Sequence, residues 1–202
     1  MKRLLILSFS ISSVFSTVAQ SPGNGPQKKF GFKAGINYSL MNFNMGVPRP
    51  ATTVANIWKP GFDIRLLLNL KLSHLVAIQP EYAVALMNGE DPRSKTTYHL
   101  NYLSLPLLLR VVVTEKIALL AGPQFDLLIH ANKKANGIKT NITHDTEERN
   151  ISVLAGVELS LPAGFYLDAR YVNGFNHVGL GQRSVASEFK WQSFSAGVGL
   201  RF

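Results

Sequence analysis

Histidine, serine and the carboxylates carry whatever chemistry this chain could perform, because it contains no cysteine. Thiolate nucleophiles, disulfide scaffolds and Cys-ligated metals are thereby excluded. His99, His130, His144 and His177 fall on or near predicted loops, and His130 and His144 bracket one of them. None stands in an H-x-E or H-x-x-x-H frame, the spacings that aim two ligands at one ion. No metal site is expected. The residue types of a Ser-His-Asp triad are all present, but no G-x-S-x-G frame presents a serine as a nucleophile. Gly179-Leu180-Gly181 lacks the strand-to-helix setting of a phosphate cradle. Asn141-Ile142-Thr143 matches a glycosylation acceptor and nothing more. The reading is a non-enzyme with no catalytic residue and no cofactor.

A more regular signal lies in the charges. Lys33, Asp63, Arg65, Glu81, Arg110, Asp126, Glu158, Asp168 and Arg170 all occupy one phase of a period of two. The other phase is apolar. In 30–40 the even positions are Phe30, Phe32, Ala34, Ile36, Tyr38 and Leu40, against Gly31, Lys33, Gly35, Asn37 and Ser39. That alternation predicts a strand with one apolar and one polar face. It recurs over 62–72, 76–86, 117–129, 151–161, 165–171 and 193–202, with Leu67 as an exception. Over 98–113 the apolar phase changes near Asn101-Tyr102, as a β-bulge would produce. Eight strands result, and no segment after residue 19 reads as a helix.

Connections alternate strictly. Those at 42–58, 88–97, 131–149 and 176–190 read as long loops, while 72–74, 114–116 and 162–163 are tight turns. Eight antiparallel strands with short turns at one rim and long loops at the other are the plan of a transmembrane β-barrel of the outer membrane. Aromatic residues gather at the strand ends: Tyr38, Trp58, Tyr82, Tyr98, Tyr171 and Trp191 toward the long loops, and Phe30, Phe32, Phe165 and Phe202 at the other rim. Alternation by itself also fits a soluble lipocalin-like barrel, with the faces reversed. In the membrane barrel, five inward acids (Asp63, Glu81, Asp126, Glu158, Asp168) meet a comparable number of bases, Arg201 included, so a plugged polar lumen is expected.

The first residues read as an address. Lys2 and Arg3 precede the apolar stretch 4–15, and Thr17-Val18-Ala19 offers a cleavage site, so 1–19 is expected to be a Sec signal peptide. A short segment, 20–28, and the barrel domain, 29–202, follow. Only 16% of residues are charged, and the formal net charge of +9 comes from scattered cations. No nucleic-acid partner is expected.

The segments FGFKAGINYSL (30–40), IQPEYAV (78–84), YLSLPLLLRV (102–111), AGPQF (121–125), LDARYVNGFNHV (167–178) and GVGLRF (197–202) together resemble the PorT-like outer-membrane β-barrel family. That resemblance implies the fold and the outer-membrane location. One branch of the family is associated with protein secretion, which makes an accessory secretion barrel the second functional reading. The first is an envelope-structural or surface-binding protein acting through its long loops. Expected partners are outer-membrane lipid and the barrel-assembly machinery, the latter through the terminal strand ending in Phe202.

Overall fold

A computed structural model describes residues 29–180 and 187–202. The predicted signal peptide and the segment 20–28 lie outside the described residues. The described chain forms one closed, all-antiparallel β-barrel. Its eight wall strands are β1 (Phe30–Asn42), β2 (Lys59–Leu68) with its two-residue continuation β3 (Leu70–Lys71), β4 (Val76–Asp91), β5 (Thr96–Val112), β6 (Ile117–Ala135), β8 (Arg149–Ser160), β9 (Phe165–Gly174) and β11 (Ser187–Arg201). Each pairs with its neighbour in sequence, and β1 pairs with β11 from Gly31↔Arg201 to Asn42↔Lys190. Closure leaves the wall without a free edge, which a sheet surrounded by hydrocarbon requires.

Local chemistry shapes the short turns. Ser73 Oγ accepts from the Leu75 and Val76 amides at 3.3 and 3.1 Å, and Thr114 Oγ1 does the same for Lys116 and Ile117 at 3.3 and 3.0 Å. The third turn carries Ala163 and Gly164 at φ 59° and 86°.

The apolar phase faces outward. Ile36, Phe62, Leu66, Tyr82, Leu107, Leu119, Val157, Leu167 and Val198 are all exposed, and together they form a continuous girdle. The charged phase faces inward. Lys33 and Glu158 are fully buried, and Asp63, Arg65, Glu81, Asp126, Asp168 and Arg170 are nearly so. Leu67 is an apolar member of that inner phase, as are Leu108, Leu120, Leu154 and Val172, which cluster together.

Three expectations change. First, the faces of β5 do not slip. Its even residues point inward along its length, from Thr96 through Tyr98, Leu100, Tyr102 and Ser104 to Leu108. The register shift near Asn101/Tyr102 is real but belongs to β6, where Ile129 is left unpaired between Leu128 and His130. What changes is the surroundings: above the girdle water lies outside and the apolar core inside, so the apolar phase inverts. Second, three of the four long connections are partly sheet, and only 42–58 stays irregular beyond Asn42. The segment 88–97 holds only a four-residue turn between β4 and β5. Within 131–149, β6 continues to Ala135 and folds back as β7 (Ile138–Asn141), through Asn136-Gly137 at φ 49° and 80°. Asn-Gly is the preferred pair for such a turn. A further short strand, β10 (Val178–Leu180), pairs with β11. Third, Tyr98 and Trp191 are not rim residues: both are buried inside the barrel.

Candidate functional site

The half of the lumen toward the short turns holds an ion-pair network beside a small apolar cluster of Leu108, Leu120, Leu154 and Val172. Asp168 accepts through Oδ2 from Lys33 Nζ at 2.9 Å and from Arg170 Nε, and its Oδ1 lies 2.7 Å from the same ammonium as an ion pair. Arg170 also forks onto Glu81, at 2.6 and 2.9 Å. Arg65 donates to Asp63 and lies 3.5 Å from the second Glu81 oxygen. Gln79 joins this group to the next: its amide donates to Glu81 at 2.7 Å, and its carbonyl accepts from Arg201 at 3.1 Å. Arg201 and Arg110 both bind Glu158, and the Arg201 guanidinium lies over the Tyr166 ring at 4.4 Å. Asp126 stands apart from the ion pairs, accepting from the side-chain amides of Gln124 and Asn150 at 2.8 and 2.7 Å. The inward charges of this layer are five of each sign, and all but Asp126 are cross-linked. Burial tolerates charge on those terms.

Above this layer the interior turns apolar. Leu100, Tyr102, Phe189 and Trp191 are fully buried, and Met41, Phe43, Val54, Ile142 and Val178 pack with them. Trp191 Nε1 donates to Tyr102 Oη at 3.1 Å, and the Phe189 ring meets Trp191 edge-on at 5.0 Å. The 43–58 connection seals this core from above. Asn44 holds it shut: its side-chain amide donates to the Val54 carbonyl and accepts from the Val54 amide, both at 2.8 Å. Arg93, itself hydrogen-bonded to Asp91, lies over Phe43 at 4.8 Å. Between the two layers remains a cavity of about 20 Å³, lined by Asn37, Arg65, Ser104, Gln124, Ser193 and Ser195. That is room for about one water.

Outside, the girdle ends sharply. Along seven of the eight wall strands, followed toward the extracellular side, the outward residues change to polar, at Asn42, Asn88, Asn101, His130, Arg149, Asn173 and Gln192. These residues knit across strands. Asn42 donates to Gln192 and Gln192 to Asn173, each at 3.2 Å, and His99 Nδ1 lies 2.7 Å from Asn88 Oδ1. His130 contacts Asn132 at 2.7 Å and Thr143 Oγ1 at 3.3 Å. The candidate glycosylation motif is a turn: Asn141 Oδ1 accepts the Thr143 amide at 2.9 Å. His177 Nε2 faces the Met45 carbonyl at 3.0 Å, while His144 is exposed in a short 3-10 turn, Thr143–Asp145. The structure therefore disperses the four histidines, and each that is bonded serves a local contact. Among the described residues no group of three or more His, Asp or Glu side chains converges on a common point. Gly179 and Leu180 belong to β10, and Gly181 lies outside the described residues.

The model of one family, described as an outer membrane protein beta-barrel domain, matches residues 19–179. The chain belongs to that family. The outward apolar girdle of this outer-membrane barrel therefore meets lipid, and its charged phase fills the lumen. The soluble lipocalin-like alternative is set aside. The match is to the general barrel family and does not single out a PorT-like branch. The solved structures that resemble the barrel include these two. Neisserial surface protein A has a TM-score of 0.55 at 15% identity, over 89% of this chain and 100% of its own. Ail, the attachment invasion locus protein of Yersinia pestis, has a TM-score of 0.52 at 15% identity, over 86% of this chain and 98% of its own. At that identity they share the fold alone. No curated protein matches the chain.

Proposed function

We propose that this outer-membrane barrel is a closed, non-enzymatic envelope protein that works through its extracellular surface. The supporting observation is the doubly sealed lumen: an ion-pair layer below, an aromatic and aliphatic layer above, and a one-water cavity between them. A wall so filled gives solutes no route, while the strands that continue beyond the girdle build a hydrogen-bonded platform from β4, β5, β6 and β7. Binding surfaces commonly sit on loops and strand ends held by a rigid scaffold. The platform is the part of this molecule suited to recognition. Insertion through the barrel-assembly machinery, with Phe202 read at the end of β11, belongs to the same proposal.

Single-channel recording on the protein reconstituted in planar bilayers tests it. No stable conductance steps are expected. Reproducible porin-like steps would overturn the closed-barrel reading and turn the inward charges into a selectivity filter.

A further inference from the structure

One sector of the platform carries cations that point sideways, over the membrane, rather than up. On β6 and β7, Lys134 is the register partner of Thr97 on one side and of Lys139 on the other. It shares its outward face with Asn132 and His99, in continuation of the lipid-facing residues Leu103 and Leu127 lower on the same strands. Lys59 reaches this sector and pairs with Glu90. Arg149, the register partner of Leu127, extends it onto β8. Directly opposed like charges destabilise a strand pair. Yet among the described residues no carboxylate lies within 4.0 Å of Lys134, Lys139 or Arg149. The field is felt locally: beyond the girdle, partial burial and then the Lys139, Lys134 and Lys59 charges hold the His99 imidazole below its ordinary pKa.

We propose that this face binds the phosphate groups of outer-leaflet glycolipid. The occupant follows from continuity and charge. The apolar wall immediately below already meets acyl chains, so what stands beside Lys134 and Lys139 is the headgroup attached to those chains. Lysine stems lie along apolar surface while their ammonium groups reach a polar layer, and a phosphate between two opposed lysines relieves their repulsion.

The test uses the full barrel in a neutral maltoside detergent, titrated with diphosphorylated lipid A and read by native mass spectrometry. The Lys134→Gln/Lys139→Gln double variant is expected to bind lipid A roughly thirtyfold more weakly, on the scale of two basic residues beside an anionic lipid surface. Lys133→Gln removes the same charge from the same hairpin, but on the opposite face, beside Tyr98 and Thr140. It should bind like the parent. Heat-modifiable gel migration checks that each variant is folded. If the double variant is not, Lys139→Gln alone replaces it, since β7 lies outside the barrel wall. Unchanged binding by the folded Lys139 variants overturns the proposal, and so does equal weakening by Lys133→Gln. Displacement of lipid A by matched inorganic phosphate also overturns it, because the face would then read a soluble anion rather than a lipid.

Discussion

Glu81 is held by two guanidinium groups and one amide, so its loss strands more than itself. Without the carboxylate, Arg170 keeps only Asp168, and the second Arg65 contact disappears, both deep in the lumen. Removing one partner of a buried ion pair costs about 3–5 kcal/mol. Glu81→Ala is therefore expected to lower the unfolding free energy of the barrel in lipid vesicles, read from urea curves, by an amount on that scale. Asp126 gives the contrast. Its hydrogen-bond partners are neutral, so Asp126→Asn leaves no orphaned cation and is expected to cost about 1 kcal/mol. Unfolding curves followed by gel mobility compare the two directly, and an equal loss would mean that Asp126 pairs with charge through a path the network does not contain. The inward ions were legible in the sequence because a period of two assigns a face to every charged residue. Gln79, Asn44 and Asn150 were not legible as partners. An amide side chain carries no spacing signal, and its role depends on which strand lies opposite.

At the scale of elements, the wall strands and their order were readable, because a one-residue slip would turn every charge toward lipid. The loops were not. Polar outward residues such as Asn88, His99 and Asn132 look like loop residues when the reader assumes lipid outside throughout. In fact the strands run on past the girdle, where water makes polar residues the proper outward choice. The missed signal for β7 was Asn136-Gly137, a two-residue hairpin turn flanked by strand residues. This changes what can safely be removed. Ala131, Ile142 and Thr146 are buried against the upper core or its margin, whereas 134–139 is hairpin tip. Excising 134–139 is expected to leave heat-modifiable migration and thermal stability intact, while replacing all of 131–149 with a turn uncovers Leu100 and Trp191 and lowers stability. Removing 190–202 takes away the partner of both β1 and β9, and no folded barrel is expected. A folded product of that truncation, seen by the same gel assay, would mean that β1 and β9 can close the wall between themselves.

Across the whole molecule, the two halves obey opposite rules with one topology. In the lipid-embedded half the wall is apolar outside and ionic inside. In the extracellular half it is polar outside and apolar inside, as in any water-soluble β-barrel. The inversion is a consequence of solvent alone, since the same strands cross both zones. It also makes the seal redundant. The ion-pair layer excludes solutes because its charges are cross-linked from wall to wall: Lys33 on β1, Arg65 on β2, Glu81 on β4, and Asp168 and Arg170 on β9. The upper layer excludes them because Tyr102 and Trp191 fill the bore from opposite walls, joined by the hydrogen bond between them. Neither layer depends on the other for its partners. Tyr102→Ala/Trp191→Ala is therefore expected to loosen the extracellular half, measurable as faster amide exchange in β5 and β11 above the girdle, yet to remain silent in planar bilayers. Channels opened by that variant alone would place the seal in the aromatic layer and reduce the ionic layer to a hydrated filter. Silence combined with faster exchange would leave the cross-linked charges as a barrier in their own right, and the platform above them free to vary without opening the membrane.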